Sequence, residues 1–96
     1  MFRSRLWIWE QDECQALCRV MAEYNASRPK ALRITQCHVA SELGISPAAA
    51  NAYFRGKRAL NIALAQAVLK LTGIQVDKFS QRLADDIRLK HDSQNP

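Results

Sequence analysis

Three cations follow a run of small residues in the middle of the chain. The segment SPAAANAYFRGKR, residues 46–58, is rich in alanine and ends with Arg55, Lys57 and Arg58. Guanidinium and ammonium groups bind phosphate oxygens through charge-assisted hydrogen bonds. The chemistry that this spacing indicates is therefore the binding of a polyanion.

The basic excess is concentrated in the same part of the chain. The formal net charge is +5, and between Arg28 and Lys70 seven cations are opposed only by Glu42. Arg3 and Arg5 add positive charge near the N-terminus. This placement is expected of a domain that presents one positive face to nucleic acid, although a solvated basic surface that aids solubility would have the same composition.

The three cysteines indicate a reducing compartment. Cys14, Cys18 and Cys37 are an odd number in a chain without an apparent secretory leader, which argues against a disulfide scaffold. Cys14 and Cys18 lie four residues apart and Cys37 precedes His38, so a zinc site is conceivable. Buried apolar packing of Cys14 and Cys18 is the favoured interpretation, and we expect no metal and no cofactor.

Neither catalysis nor membrane insertion is indicated. No general base, oriented nucleophile, glycine-rich phosphate loop or carboxylate pair stands in a credible arrangement. No apolar run approaches the roughly 20 residues that cross a bilayer, and LWIW at residues 6–9 is interpreted as packing at the entry to the first helix. We expect a non-enzymatic protein of the cytoplasm.

The pattern of caps and apolar positions predicts helices throughout. A first helix spans residues 10 to about 25, and Thr35, Ser46, Asn61 and Ser80 are the predicted N-caps of the others. Pro47 suits the first position of its helix, where its missing N–H is not needed. The prediction is one all-α domain over residues 10–90, after a basic and aromatic arm at 1–9 and before a polar tail at 91–96.

Two of these helices are short and closely joined. The turn of Leu43, Gly44 and Ile45 connects them, so that residues from about 36 to 54 form a predicted helix-turn-helix. This arrangement sets its second helix into the DNA major groove.

Residues 35–74, TQCHVASELGISPAAANAYFRGKRALNIALAQAVLKLTGI, resemble the DNA-binding domain of lambda repressor and the wider Cro/repressor helix-turn-helix family. The similarity covers the motif, the GKRALN segment and the next helix, and it continues through VDKFSQRLADDI. The resemblance implies a five-helix fold and binding to double-stranded DNA.

The resemblance also implies which residues contact DNA. Gln36 corresponds to a glutamine that touches a phosphate, and Arg55, Lys57, Arg58 and Asn61 fall in the segment that holds the backbone and reaches toward bases. The groove-facing positions of the second helix are Ser46, Pro47, Ala48, Ala49 and Asn51. Arg3 and Arg5 would correspond to the family's basic N-terminal arm.

The chain departs from the family at two positions of the second helix. Pro47 and Ala48 stand where the relative offers a glutamine and a serine to base edges, and neither can donate a side-chain hydrogen bond. We therefore expect Asn51, Arg58, methyl contacts and DNA shape to carry the specificity.

The function expected from these observations is sequence-specific regulation of transcription, of the phage or prophage repressor type. By the same resemblance, a homodimer on a two-fold operator would form through Leu83 and Ile87 of the last helix, with the tryptophans as a second possible contact. The alternative is a helix-turn-helix protein that acts mainly on a protein partner, as an antitoxin or an anti-regulator does.

Overall fold

Five α-helices make up the fold in the computed structural model, which describes the backbone of residues 6–94 and side chains through residue 90. Two single 3₁₀ turns, Lys30–Leu32 and Val76–Lys78, interrupt the connections, and the described residues contain no strand. The helices are α1 (Ile8–Ala26), α2 (Gln36–Leu43), α3 (Pro47–Phe54), α4 (Ile62–Thr72) and α5 (Gln81–Gln94). The all-α, five-helix prediction is confirmed.

The helix boundaries follow the predicted caps. Ser46 Oγ accepts a hydrogen bond from the Ala49 N–H at 3.1 Å, and Asn61 Oδ1 accepts one from the Leu64 N–H at 2.8 Å. Ser80 Oγ caps α5 in the same way, at 3.1 Å from the Leu83 nitrogen. Each cap satisfies a donor that the first helical turn leaves unpaired, so these starts are local consequences of the sequence.

Helix α4 lies at the centre of the core. Leu64 and Val68 are fully buried on one face of α4, and they pack in a cluster with Leu17 of α1, Val39 of α2 and Leu83 of α5. Burial of a side chain of this size contributes about 1.5–3 kcal/mol. The core therefore connects the two motif helices to both ends of the described chain.

A polar contact fixes α5 on α1. Arg82 donates to both carboxylate oxygens of Glu13, at 2.8 and 3.3 Å, and the Ser80 hydroxyl donates to the same carboxylate at 2.7 Å. Arg82 also donates to the Leu60 carbonyl at 3.3 Å. A bidentate pair with these further hydrogen bonds defines the relative position of α1, α5 and the loop before α4.

Two boundaries differ from the sequence prediction. Helix α1 begins at Ile8, two residues before Glu10, and α5 continues to Gln94, four residues past the predicted domain end at 90. Residues 91–94, HDSQ, contain no proline or glycine, so nothing in their sequence ends the helix there.

Two expectations about exposed and buried apolar residues require correction. Leu83 is only 1% exposed and belongs to the core, so it cannot form a surface stripe with Ile87, which is half-buried. Of the LWIW segment, Leu6 packs against the core as expected and the Arg82 guanidinium lies 5.1 Å from the centre of the Trp9 ring, but Trp7, Ile8 and Trp9 are largely exposed. Among the described residues, no helix is both long enough and apolar enough to cross a membrane.

Candidate nucleic-acid interface

Helices α2 and α3 form a compact pair around a glycine turn. Gly44 has φ 68°, a left-handed conformation that side chains other than glycine rarely adopt, and the Ile45 N–H donates to the Ala40 carbonyl at 3.0 Å. Ala40 and Ala50 are buried where the pair packs on the core. This geometry is that of the predicted helix-turn-helix.

The outward face of α3 is made of small residues and ends in a cation. Ala50 and Tyr53 point into the core, so helical periodicity places Ala48, Asn51 and Arg55 on the opposite side. Ser46 and Pro47 are exposed at the start of the helix, and Ala49 is half-buried. The groove-facing positions inferred from the resemblance are thus mostly accessible, and Ala52, which sequence reasoning did not single out, shares the outward face at four residues from Ala48.

The turn after α3 determines where the basic segment, Arg55, Lys57 and Arg58, lies relative to the helix. Gly56 has φ 71°, and the Lys57 N–H donates to the Ala52 carbonyl at 2.9 Å, so the helix closes in a Schellman-type turn that requires glycine at this position. Arg55 therefore stays on the last turn of α3, whereas Lys57 and Arg58 leave it on the following loop.

Two thiols of α1 hold this turn in place. Cys18 Sγ donates to the Phe54 carbonyl at 3.0 Å, and Cys14 Sγ donates to the Arg58 carbonyl at 3.4 Å. Burial raises the pKa of the Cys14 thiol to about 11 and also raises the pKa of Cys18, so both remain protonated donors near neutral pH. The backbone of the basic segment is fixed at both ends.

The cations of this turn are not neutralised by acids. Arg55, Lys57 and Arg58 are exposed, and none forms an ion pair with an acid of residues 6–90. Elsewhere Lys70 pairs with Glu42 at 2.6 Å, and Arg88 pairs with Asp85 at 3.0 Å. The charge beside α3 is consequently available to an external anion.

Arg58 and Asn61 both contact Tyr53. The Arg58 guanidinium lies 5.2 Å from the centre of the Tyr53 ring, within the range of a cation–π contact. Asn61 donates to the Tyr53 hydroxyl at 3.0 Å while its oxygen caps α4. Tyr53 is buried in the core, and Phe54 is half-buried against it.

Three further DNA contacts are implied by the resemblance, at Gln36, Arg3 and Arg5. Gln36 is half-buried as the first residue of α2, next to an N-cap at Thr35 whose N–H donates to His38 Nδ1 at 2.9 Å. Arg3 and Arg5 lie outside the described residues.

A second set of cations lies in the loop before α2, where the Arg28 guanidinium stacks 3.9 Å from the centre of the Tyr24 ring. Arg28, Lys30 and Arg33 form no ion pair with any acid in the described part of the chain, and Arg33 Nε donates to the Arg28 carbonyl at 3.1 Å. Asn25 holds this loop by two hydrogen bonds to the backbone of Ile34, at 2.8 and 2.9 Å. These three cations belong to the basic excess over residues 28–70 but lie outside the helix-turn-helix, so the motif itself does not indicate them.

The zinc arrangement considered from the sequence does not form. Within residues 6–90, no three histidine, cysteine or acidic side chains come together as a metal cluster. All three cysteines are free thiols.

Comparison with known protein families found a match to the segment that contains this helix-turn-helix. Residues 30–79 match the HTH_3 helix-turn-helix family, the group that includes lambda repressor and Cro, and the match spans more than half of the chain. It runs from the loop before α2 to the turn before α5. A search of curated proteins found no match.

Proposed function

Because the chain belongs to the HTH_3 helix-turn-helix family of DNA-binding domains, we propose that it is a sequence-specific transcriptional regulator of the phage-repressor type. It would act in the bacterial cytoplasm, at the nucleoid, by occupying an operator in double-stranded DNA. The family supports DNA binding, and the specificity, the repressor role and the assembly are our inferences.

The observation that carries this proposal is the set of unpaired cations beside a smooth helix. Arg55, Lys57 and Arg58 extend from a turn fixed by Gly56, and the adjacent face of α3 has no side chain larger than Asn51 before Arg55. Small residues let the helix backbone approach the base edges, while free cations replace counterions on the phosphates.

Base readout is assigned to two side chains. Asn51 is half-exposed on the outward face and can form a bidentate pair with adenine, and Arg58 can do so with guanine. Lys57 and Arg55 are assigned to phosphates, as are Gln36 and the cations of the loop before α2. Ala48 and Pro47 would contribute apolar contacts to thymine methyl groups. Ala49 and Ser46 would border the contact between α3 and the DNA.

Asn61 has a narrower role than the resemblance implies. Its oxygen caps α4 and its amide donates to Tyr53, so one amide hydrogen is left for DNA. We propose that Asn61 mainly positions Tyr53, on whose ring Arg58 rests, and contacts the phosphate backbone secondarily.

A homodimer would double the readout on a two-fold operator. Ile87 remains the candidate contact, because it lines an open groove between α4 and α5 together with Leu69, Val76 and Ala84. Two half-sites about one helical turn apart would follow from such a dimer.

Selection of bound sites from random duplexes tests this proposal. We expect an enriched palindrome and an affinity that falls steeply with salt. Binding to all duplexes with equal affinity would contradict sequence-specific regulation, and enrichment of single, unpaired half-sites would contradict the dimer.

The exposed aromatic segment favours a second candidate function. Trp7, Ile8 and Trp9 are exposed at the start of α1, and apolar surface of this kind is typical of protein contacts. The alternative is a domain that acts through a protein partner, as an antitoxin does. DNA binding that appears only after a partner is added would favour it over the autonomous regulator.

A further inference from the structure

An open cavity of about 460 Å³ lies behind the helix-turn-helix, between α1 and the ends of the two motif helices. Gln36 at the start of α2 and Phe54 at the end of α3 both line it. Cys18, on its α1 side, donates to the Phe54 carbonyl at 3.0 Å. An occupant of this cavity would therefore contact both outer ends of the motif.

Sulfur atoms dominate the chemistry of the cavity. Residues 6–90 contain four sulfur-bearing side chains, and three of them, Cys18, Met21 and Cys37, line this space. Cys18 and Met21 are three residues apart, so they share one face of α1. Cys37 approaches from the first turn of α2 and is exposed.

Two of the three other polar residues of the lining are engaged within the protein, and the third, Gln36, presents a carboxamide. Both amide atoms of Asn25 are hydrogen-bonded to the backbone of Ile34, and the Thr35 N–H donates to His38. The sulfur donors of the lining are the Met21 thioether, the Cys37 thiol and the Cys18 thiol, which would exchange its contact with the Phe54 carbonyl for a ligand. Thiol and thioether donors select a soft metal ion such as Cu(I).

We propose that Cys18, Cys37 and Met21 form a site for one thiophilic, monovalent metal ion of the Cu(I) class. The two thiolates bind the ion and the thioether of Met21 completes its coordination. The ion replaces one proton on each thiol, and the two protons leave to solvent. Zinc is excluded from comparable binding, because it requires four ligands of the kind that this cavity does not assemble.

Metal binding has a direct consequence for the end of α3. A Cys18 thiolate that binds the ion no longer donates to the Phe54 carbonyl, and the turn that carries Arg55 and Lys57 loses one of its two thiol contacts. The occupied site should thus weaken DNA binding, a consequence that rests on the proposed function, whereas the metal site itself does not.

Titration of the reduced protein with Cu(I), without oxygen and against a Cu(I) chelator of known affinity, tests the site without DNA. We expect one ion per chain and protection of two of the three thiols from a thiol reagent. Cys18→Ser and Cys37→Ser should each lose this binding. Met21→Leu preserves side-chain volume and should lower the affinity without abolishing it.

Cys14→Ser is the matched control, since Cys14 lies one turn from Cys18 but outside the cavity and its serine can still donate to the Arg58 carbonyl. It should bind Cu(I) as the original protein does. Circular dichroism of each variant separates loss of the site from loss of the fold. Binding that survives Cys18→Ser, needs Cys14, or gives one ion per two chains through Cys37 would overturn the proposal.

Affinity for a selected duplex, measured with and without Cu(I), tests the consequence for DNA. We expect Cu(I) to weaken binding about fivefold, the effect of one neutral hydrogen bond on an equilibrium, and to have no effect on Cys37→Ser. Unchanged affinity with the ion bound would show that the site does not control α3. Absence of duplex binding altogether would contradict the proposed function and leave the metal titration interpretable.

Discussion

Arg58 differs from its neighbouring cations in how it is held. Its guanidinium lies over the Tyr53 ring and its backbone carbonyl accepts from Cys14. Lys57 is held through its backbone N–H, which donates to the Ala52 carbonyl, and within residues 6–90 no ring contact or ion pair orients its ammonium group. A planar group that is already oriented loses less rotamer entropy when it forms a bidentate pair with guanine. A flexible ammonium suits a phosphate, where direction matters less.

Replacement of these two cations should therefore have different effects. Arg58→Ala is expected to relax preference at one operator position, at a cost of about 1–3 kcal/mol, whereas Lys57→Ala should weaken all sequences alike and flatten the salt slope by about one. Arg58→Lys keeps the positive charge but lacks the planar guanidinium that forms two parallel hydrogen bonds. It should therefore lose the base preference at that operator position and keep the salt dependence of the affinity. Affinities for operator variants at several salt concentrations measure both quantities, and a uniform loss in all three variants would remove Arg58 from base readout.

The Cys14 thiol should make stability depend on pH in the alkaline range. Its pKa is about 11 in the folded protein and 9.0 as the ordinary value, so between these the unfolded chain loses the proton that the folded protein keeps. The free energy of unfolding should be unaffected by this thiol below about pH 9 and should fall above it, by at most about 3 kcal/mol.

Urea unfolding at about pH 8 and about pH 10 checks this expectation. Cys14→Ser removes the titration of this thiol while it retains a donor for the Arg58 carbonyl, and all other residues are the same in both proteins. The difference in stability between the two proteins should shrink as the pH rises. A constant difference would mean that burial does not keep this thiol protonated.

At the scale of elements, the start of α3 has two roles at one residue. Ser46 Oγ accepts from the Ala49 N–H and so caps the helix, and the same exposed residue stands at a position assigned to DNA. The two roles have different electrostatic requirements. A carboxylate is a good cap and favours the positive end of the helix dipole, but it repels a phosphate.

Two substitutions at Ser46 separate the roles. Ser46→Ala should lower the free energy of unfolding by about 1 kcal/mol, whereas Ser46→Asp should leave it close to that of the original protein. Ser46→Asp should nevertheless be the weaker DNA binder of the two. Chemical denaturation measures the free energy of unfolding of both variants, and duplex titration measures their affinity for DNA. Strong duplex binding by Ser46→Asp would show that the start of α3 does not lie against the DNA.

At the scale of the whole molecule, sequence reasoning succeeded where structure is local. Gly44 and the caps at Ser46 and Asn61 act within a few residues of themselves, so their types and order suffice to place α2, α3 and α4. The spacing of Leu83 and Ile87 likewise predicted a shared helix face.

Contacts between distant segments could not be predicted in this way. Helical periodicity does not show whether an apolar face packs in the core or lies at the surface. Leu83 packs in the core, because Glu13 and Arg82 bring α5 onto α1. The thiol contact from Cys18 to Phe54 spans 36 positions of sequence and depends on how the two helices cross. Apolar type alone also failed to predict the exposure of Trp7 and Trp9, since burial depends on what the rest of the fold places there.

The proposed homodimer has two candidate contact surfaces. Ile87 lines a groove that runs along α4 and α5, whereas Ile8 is 78% exposed at the far end of α1 among tryptophans. Leu69, Val76, Ala84 and Ile87 form the apolar part of the groove, among polar and charged side chains. A second α5 that inserted its own Ile87 there would give a two-fold arrangement. We therefore expect the dimer to form through α5.

The same substitution at both isoleucines distinguishes the two surfaces. Ile87→Lys should shift the protein toward monomer in sedimentation equilibrium and weaken operator binding, because it places an unpaired charge in the contact. Ile8→Lys introduces an identical charge on the aromatic segment and should leave both quantities unchanged. Leu83 is unsuitable for this test, since it is buried in the core and its replacement would lower stability instead. The opposite result, with Ile8→Lys monomeric and Ile87→Lys dimeric, would move the interface to the start of α1 and make Trp7 and Trp9 its centre.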